Sequence, residues 1–282
     1  MLVLPFAGAA VVLETHWWAT QVAPVAIWTV GMSLLLGLVT WKVHAAVPWG
    51  AAAGTALTAF LMFSTTTFPY SPLHTALVPV LAVAAVAFVC TLLGRGKKER
   101  LGTAESRHGR SASQVSANLG IAAILSSPFV QSSFIDSAWF TRASSSPMLL
   151  FSVGLAALAE AAADTASSEL GQVFGGRPRM ITTLRQVEPG RDGAISLAGT
   201  FAGVVAAAIV AAAGTMALRG DRTMFVVSCA SGVFGLLFDS LLGATLEENG
   251  WLNNDAVNFL STGSAALFAL VLLGVLPHLG MG

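Results

Sequence analysis

The stretch "AEAAADTASSELG", Ala159 to Gly171, places three acidic residues at the end of an apolar run that begins near Met148. The whole run is long enough for a membrane span, which needs about 20 apolar residues. A charged carboxylate at membrane depth costs at least about 2.5–3.5 kcal/mol and needs a cation, a metal or a water-filled cavity. Glu160, Asp164 and Glu169 are therefore the first candidates for a functional site.

The composition of the whole chain is typical of a membrane protein. The 282 residues are 55% hydrophobic and 10% charged, with a mean hydropathy of +0.76, whereas soluble domains carry about 25% charged residues. The formal net charge is zero, so the charge does not favour a nucleic-acid partner. Cys90 and Cys229 lie in separate apolar runs, which predicts buried thiols rather than a disulfide or a metal site.

Eight stretches are long enough to span a membrane, and helices are expected because the backbone must satisfy its own hydrogen bonds in lipid. We therefore expect an all-α, polytopic transmembrane bundle of about seven to nine helices, forming a single integral membrane domain over residues 1–282. The fourth stretch contains Pro128 and several polar side chains, so it is either broken or buried among other helices. The N-terminal run Met1–Leu13 is shorter and indicates an interfacial or half-inserted segment. The eight stretches are Val22–Trp41, Ala45–Thr65, Leu73–Leu93, Val115–Ile135, Met148–Leu170, Ile195–Leu218, Met224–Leu246 and Ala256–Leu276.

The links that follow the odd-numbered stretches carry 11 of the 14 Lys and Arg residues. Because cytoplasmic loops are enriched in Lys and Arg, these links are predicted to face the cytoplasm. The turn between the seventh and eighth stretches falls on the same side. Asp239, about 8 residues from the cytoplasmic end of its stretch, would lie roughly 12 Å deep. We expect an integral protein of a prokaryotic inner or plasma membrane, with its active site on the cytoplasmic side.

Helical geometry places the acidic residues of the fifth stretch on two different helix faces. Glu160 and Asp164 are four residues apart and share one helix face, whereas Glu169 is rotated by about 140° from Asp164. Either the helix opens near Ser167–Gly171, or Glu169 faces the adjoining loop. A structural ion pair between helices is one interpretation. The other is coordination of a hard divalent cation such as Mg²⁺, with Asp164, Glu169 and Asp239 as ligands.

The link "GGRPRMITTLRQVEPGRDG", Gly175 to Gly193, combines glycines with four arginines. Arginine binds phosphate in a bidentate manner, and glycine allows a close approach of the backbone. The link therefore favours phosphate binding, although a plain positive-inside loop would also explain the arginines. The candidates in this link are Arg177, Arg179, Thr182, Thr183 and Gly193.

Two further polar segments supply weaker candidates. The link Gly94–Gln114 carries six cations and suits a membrane-facing loop; Lys97, Lys98 and Arg100 are its candidates for a nucleotide or a lipid headgroup. The turn "NNDAVN", Asn253 to Asn258, precedes the last stretch. It could cap that helix through Asn254 or Asp255, or it could ligate a metal or a nucleotide.

Three stretches together resemble the transmembrane protein 19 family, which includes the phytyl-phosphate kinase of the vitamin E pathway in plants and cyanobacteria. They are "ADTASSELG" (Ala163–Gly171), "GRPRMITTLRQVEPGRDGAISLAGT" (Gly176–Thr200) and "GLLFDSLLGATLE…NNDAVNFLST" (Gly235–Thr262). The resemblance covers roughly residues 94–282, a family-like catalytic region, and residues 1–93 carry no signature. The chain departs from the family pattern at Ala166, where the pattern has Trp, and at Arg191–Asp192, where it has Thr-Asn.

The resemblance implies a CTP-dependent kinase that converts a phytyl- or prenyl-type isoprenoid monophosphate to the diphosphate, with Mg²⁺. Its partners would be the lipid phosphate, a nucleoside triphosphate and the bilayer. Asp164, Glu169, Asp239 and Arg179 would be catalytic, with Asn254 and Asn258 assisting. Two alternatives stay open: a cytidylyltransferase or other lipid-phosphate transferase, and a transporter. The transporter is less favoured because no paired, broken helices occur in two matching halves.

Overall fold

The computed structural model describes residues 3–104, 108–135 and 150–275. Three residues used above as ends of stretches, Met1, Met148 and Leu276, lie outside these ranges. Within them the chain forms eleven α-helices and one short antiparallel hairpin, and all eight apolar stretches form helices. The predicted all-α membrane bundle is therefore confirmed. The helices are α1 (Val3–Gln21), α2 (Ala23–Lys42), α3 (Pro48–Ser64), α4 (Leu77–Leu92), α5 (Arg95–Leu101), α6 (Ala112–Ser126), α7 (Pro128–Ile135), α8 (Phe151–Phe174), α9 (Leu197–Ala217), α10 (Arg222–Leu242) and α11 (Asn254–Val275), and the strands are β1 (Arg179–Met180) and β2 (Ala194–Ile195).

The described helices outnumber the eight stretches for local reasons. The fourth stretch is broken: α6 ends at Ser126, Ser127 is extended, and Pro128 begins α7. A residue before proline is pushed out of the helical region, which accounts for the break. The N-terminal run is part of the full helix α1, which packs against α2 and α3. Finally, α5 continues from α4 after a bend of 64°.

Four of the described helices are long and apolar enough to cross a membrane, or five if the bent pair of α4 and α5 counts as one span. They are α2, α9, α10 with the turn that follows it, and α11. By this criterion the described residues contain four or five spans, whereas the sequence offers eight stretches long enough to span. Helices α3 and α6 have 17 and 15 residues, fewer than the ~20 that a span needs. Helix α8 carries three acidic residues and lies inside the bundle.

Helix α8 is the central helix of the fold. Nearly all of its side chains from Phe151 to Ala166 are buried, and it packs against α4, α6, α9, α10 and α11. Glycines on the neighbouring helices make this close packing possible. A Cβ atom at Gly203 of α9 would lie 2.9 Å from the carbonyl oxygen of Ala163. The acids of α8 therefore face other helices, so their partners must come from those helices or from the links at its end.

The basic links and the turn between α10 and α11 come together at one end of the bundle. The Arg110 N–H donates to the carbonyl oxygen of Ala45 over 3.0 Å, which joins the link before α6 to the link before α3. Arg191 forms an ion pair with Glu248, which joins the link after α8 to the turn before α11. We call this region, where the cation-rich links meet, the basic end.

Candidate active site

A polar cavity of about 320 Å³ opens at the basic end. It is bounded by the C-terminal parts of α8 and α10, the N-terminal parts of α6 and α11, and the link between α8 and α9. Six of the candidates taken from the sequence line it: Asp164, Glu169, Gly193, Asp239, Asn254 and Asn258. The structure therefore brings together residues from four separate segments of the chain.

Asp164 and Asp239 form the acidic centre of the polar cavity. Asp164 lies on α8 and Asp239 on α10, both are partly buried, and their carboxyl groups interact electrostatically. The Oδ2 atom of Asp239 is buried and has no hydrogen-bond partner among the described residues. After α10 the chain continues as one π-helical turn, Gly243–Glu247. Such turns are frequent at functional sites, and this one places Glu247 in the cavity lining.

Glu160 lies one helical turn deeper than Asp164 and does not line the cavity. Its side chain is 1% exposed, and neither carboxyl oxygen has a hydrogen-bond partner among the described residues. The neighbouring helix approaches closely at Gly235, where a Cβ atom would lie 2.5 Å from Cγ of Glu160. Glu160 is therefore part of the support beneath the two aspartates rather than a group that a ligand in the cavity can reach.

Glu169 is turned toward the bend between α4 and α5. Helix α8 is continuous through Phe174, so the helix does not open and the loop-facing alternative holds. Glu169 forms an ion pair with the buried Lys98, and Thr91 Oγ1 donates to its Oε1 over 3.3 Å. Lys98 Nζ also donates to the carbonyl oxygens of Cys90 and Thr91, over 2.9 and 2.8 Å. Lys98 is thus engaged in holding α5 against α8, and Glu169 lines the cavity while paired with Lys98.

The link between α8 and α9 folds into the hairpin of β1 and β2, which turns several predicted phosphate ligands away from the cavity. Arg179 Nη1 donates to the carbonyl oxygen of Leu184 over 2.8 Å, within the same link. Arg177, Thr182 and Thr183 are exposed and lie outside the cavity lining. Lys97, Lys98 and Arg100 also lie outside that lining. Roles for these seven residues stay predictions.

Two arginines that were not among the predicted site residues line the cavity. Arg110 Nη2 donates to Thr165 Oγ1 over 3.4 Å, and its charge acts on Asp164. Arg191, in the link between α8 and α9, also lines the cavity and is paired with Glu248. Gln114 and Asn118, one and two turns into α6, extend the Arg110 side of the lining. The four-residue spacing of Gln114 and Asn118 was a signal for these two residues, since positions four apart share one helix face. Arg110 precedes α6, so this rule does not apply to it.

The N-terminus of α11 is capped by a residue other than Asn254 or Asp255, the two predicted from the sequence. The helix begins at Asn254, and the Ala256 N–H donates to Asn253 Oδ1 over 2.9 Å. Asn253 is therefore the N-cap, because an N-cap side chain accepts from the N–H three residues later. This leaves Asn254 and Asn258 on the cavity side of the helix.

Gly193 allows the link to approach the π-helical turn that follows α10. Its φ angle is +72°, and a Cβ atom there would overlap the backbone of Ala244. We expect Gly193→Ala to lower both activity and the thermal unfolding midpoint, because the left-handed conformation alone costs a non-glycine residue about 1–3 kcal/mol. Gly250 is the matched control: its φ angle is +73°, but a Cβ atom would meet nothing within 4 Å. Gly250→Ala should show the effect of backbone strain alone. Equal losses of activity and of unfolding midpoint in the two variants would contradict a role for the close contact between Gly193 and Ala244.

The charges around the cavity favour a cation. Among the described lining residues there are five carboxylates and two guanidinium groups. Burial raises the pKa of Asp192, and the nearby Glu248 raises it further. An anionic ligand would meet net repulsion here unless positive charge were added. Like charges at close range repel, and the repulsion strengthens as water is excluded.

A magnesium ion fits the residues that are present. The unpartnered Oδ2 of Asp239 and the adjacent Asp164 carboxylate are oxygen ligands of the kind that Mg²⁺ prefers. The described residues contain no group of three or more His, Cys, Asp or Glu side chains arranged to hold a metal. Mg²⁺ is usually held by one or two carboxylates together with substrate phosphates, so two aspartates suffice.

Comparison with known proteins gives the family of the chain. A membrane protein of Methanocaldococcus jannaschii is 44% identical over 108 residues, which is 38% of this chain and 45% of that protein. A membrane protein of Synechocystis is 29% identical over 193 residues, 68% of this chain and 71% of its own length. Protein VTE6, chloroplastic, of Arabidopsis thaliana is 27% identical over 197 residues, 68% of this chain and 57% of VTE6.

The chain thus spans about half the length of the archaeal and plant relatives, and more of the cyanobacterial one. No solved structure matches it. Residues 31–266 match the family model described as integral membrane protein DUF92. That match starts within α2, so it includes much of the N-terminal part in which the sequence showed no motif. Because it covers most of the chain, the protein belongs to the DUF92 family of integral membrane proteins.

Proposed function

We propose that this protein is a kinase that transfers a phosphoryl group from a nucleoside triphosphate, CTP, to an isoprenoid monophosphate at the cytoplasmic membrane face. The main support is the meeting of Asp164 and Asp239, from two different helices, with Arg110 and Arg191 in one polar cavity at the basic end. The resemblance of the three motifs to the family that includes phytyl-phosphate kinase supports the reaction type. The excess of Lys and Arg in the links at this end supports a cytoplasmic orientation.

The chemistry needs little from the protein beyond positioning and charge. The second pKa of a phosphate monoester is about 6, so the acceptor is already an anionic nucleophile at neutral pH. One of its oxygens attacks the γ-phosphorus of CTP, a new P–O–P bond forms, and the bond to the β-phosphate oxygen breaks to release CDP. Such transfers depend on alignment and on neutralisation of the equatorial oxygens.

The residues of the polar cavity match these needs. Arg110 and Arg191, which both line the cavity, would bind phosphate oxygens, and guanidinium groups suit bidentate contacts. Asp164 and Asp239 would hold Mg²⁺, which would neutralise charge on the phosphates when bound. Asn254 and Asn258 present side-chain amides to the same cavity and would orient the nucleotide or the acceptor. Gln114 and Asn118 provide further polar contacts on the α6 side.

The test is product analysis with CTP labelled separately at the α- and γ-phosphates, using purified protein, Mg²⁺ and farnesyl monophosphate. We expect the γ label, but not the α label, in a lipid diphosphate, and a lower rate with ATP, GTP or UTP. Transfer of the α label with release of pyrophosphate would contradict the kinase and identify a cytidylyltransferase. Substrate flux across proteoliposomes without nucleotide, undiminished by Asp164→Ala, would identify a transporter instead.

A further inference from the structure

A second, larger cavity lies beside the polar one. It is a groove of about 910 Å³ between α2 and α3 on one side and α4 on the other, with α6 at its base. Ligand pockets commonly measure about 300–1,000 Å³, so the groove is large enough for a substrate rather than a solvent molecule. We call it the apolar groove, because aliphatic and aromatic side chains such as Val39, Val80, Val83 and Phe88 form most of its walls.

The groove exists because α4 packs mainly against α8 and α9, and only sparsely against α3. Small residues on the facing surfaces, among them Gly54 and Ala84, keep the space open. The rim is open to the outside of the bundle, since Val39, Leu81 and Phe88 are 46%, 42% and 37% exposed. In a membrane protein this rim faces lipid, so an apolar molecule can enter sideways from the bilayer.

The groove has a polar end and an apolar end. Its lining follows α4 from Val80 to Leu92, a length of roughly 18 Å at the helical rise per residue. The charged lining residues Arg95, Glu99 and Arg110 lie at the basic end, in α5 and in the link before α6. A ligand that fills the groove must therefore be a long apolar chain with its polar group directed toward the basic end.

The apolar groove borders the polar cavity. Arg110 and Asn118 line both of them. The backbone of Arg110 is fixed by hydrogen bonds with Ala45 and Val47, of 3.0 and 3.1 Å, so its position between the two spaces is set by the fold. Gly50 permits this arrangement, because a Cβ atom there would overlap the Arg110 carbonyl group.

We propose that the apolar groove binds the hydrocarbon chain of the lipid acceptor, while its phosphate reaches the polar cavity past Arg110 and Asn118. The proposal rests on the proposed kinase function for the identity of the ligand, an isoprenoid monophosphate. It adds a specificity site in α2, α3 and α4, a part of the chain in which the sequence showed no motif. The combination of a long apolar space with an arginine at its inner end matches a single chain carrying one phosphate.

A photoreactive substrate tests the location of the chain. The probe is farnesyl monophosphate with a diazirine on its last isoprene unit, added to the full-length protein in lipid nanodiscs. We expect cross-links on α2, α3 and α4 that unlabelled farnesyl monophosphate suppresses and added phosphatidylcholine does not. Cross-links mainly on α9, α10 or α11 would overturn the proposal. So would equal suppression by phosphatidylcholine, because the groove would then be a crevice filled by bilayer lipid only.

Variants that fill the groove test its role in specificity. We expect Gly54→Leu and Ala84→Leu to raise KM for farnesyl monophosphate about tenfold or more, since one misplaced methylene in an apolar pocket changes selectivity by about 10- to 200-fold. The KM for dimethylallyl monophosphate, whose chain is one isoprene unit, should stay unchanged. At Gly54 an added Cβ atom meets only Val115, at 3.8 Å, so the fold can accept it.

Matched controls carry the same substitutions away from the groove. Gly31 of α2 has nothing within 4 Å of an added Cβ atom, and Ala52 of α3 is exposed; neither lines the groove. Gly31→Leu and Ala52→Leu should leave both KM values unchanged, and equal effects in all four variants would overturn the proposal. If no lipid phosphate is phosphorylated but the probe still labels the groove, the kinase fails and the chain site stands. If transfer occurs while the label lies elsewhere, only the chain site fails.

Discussion

Asp239→Asn is expected to lower the rate of phosphoryl transfer by about 10²- to 10³-fold or more, the range seen when one preorganised electrostatic group is removed from an active site. The change keeps the size of the side chain and removes its negative charge. The Oδ2 atom of Asp239 is buried and accepts no hydrogen bond from the described residues, and the Asp164 carboxyl group on the neighbouring helix interacts with it electrostatically. Asp164→Asn should have a similar effect. Initial rates with γ-labelled CTP and farnesyl monophosphate measure the loss.

The matched control for Asp239→Asn lies on the same helix at the opposite end. Asp221 caps α10 by accepting a hydrogen bond of 3.0 Å from the Met224 N–H, and asparagine caps helices as well as aspartate does. Asp221→Asn should therefore retain both stability and turnover. A second readout is the Mg²⁺ concentration at half-maximal rate, which should rise in Asp239→Asn. Near-normal turnover with an unchanged Mg²⁺ requirement would refute the role of Asp239 as a metal ligand.

Much of the acidic centre could be predicted from local rules. The four-residue spacing of Glu160 and Asp164 indicates one face of one helix. The distribution of cations among the links indicates which helix ends lie together. These two rules already place Asp164 and Asp239 at the same end of the bundle, and both line the polar cavity. Neither rule distinguishes Glu160, which is buried beneath the cavity because of the close approach at Gly235.

The arginines that line the cavity were harder to predict, because the sequence does not show which way the side chain of a loop arginine points. Arg179 belongs to one of the three family-like stretches, but a hydrogen bond within its own hairpin directs it to Leu184. Arg110 looked like one of six cations in a topological loop. It lines the cavity because Gly50 on α3 lets its backbone dock there. Contacts of this kind depend on how α3, α6 and α8 pack, and no local pattern encodes that packing.

The buried position of Lys98 could not be predicted from the sequence either, and its substitution is expected to lower the stability of the protein strongly. As one of several adjacent cations it looked like a ligand for a nucleotide or a headgroup. The bend of 64° between α4 and α5 instead turns it inward, where it is 1% exposed and pairs with Glu169, which is 12% exposed. We expect Lys98→Met to destabilise the protein by about 3–5 kcal/mol, because removing one partner of a buried ion pair leaves the other charge uncompensated.

The neighbouring Lys97 is the matched control, since it is exposed and, among the described residues, donates to the carbonyl oxygen of Val173 alone, over 2.6 Å. Exposed side-chain interactions are usually worth about 1 kcal/mol or less, so Lys97→Met should unfold close to the wild-type protein. Unfolding of the purified protein in detergent, followed by circular dichroism during heating, measures both variants. Equal midpoints for the two would contradict the structural role of Lys98.

A double variant separates the structural role of Lys98 from ligand binding. Glu169→Gln removes the charge that Lys98→Met would leave buried, while Thr91 Oγ1 can still donate to the amide oxygen. The double variant should therefore be more stable than Lys98→Met alone, because residues in direct contact show coupling in such cycles. If Lys98 instead bound the nucleotide, removing the charge of Glu169 would not restore nucleotide binding. KM for CTP would then rise in Lys98→Met and stay raised in the double variant, at an unfolding midpoint close to that of wild type.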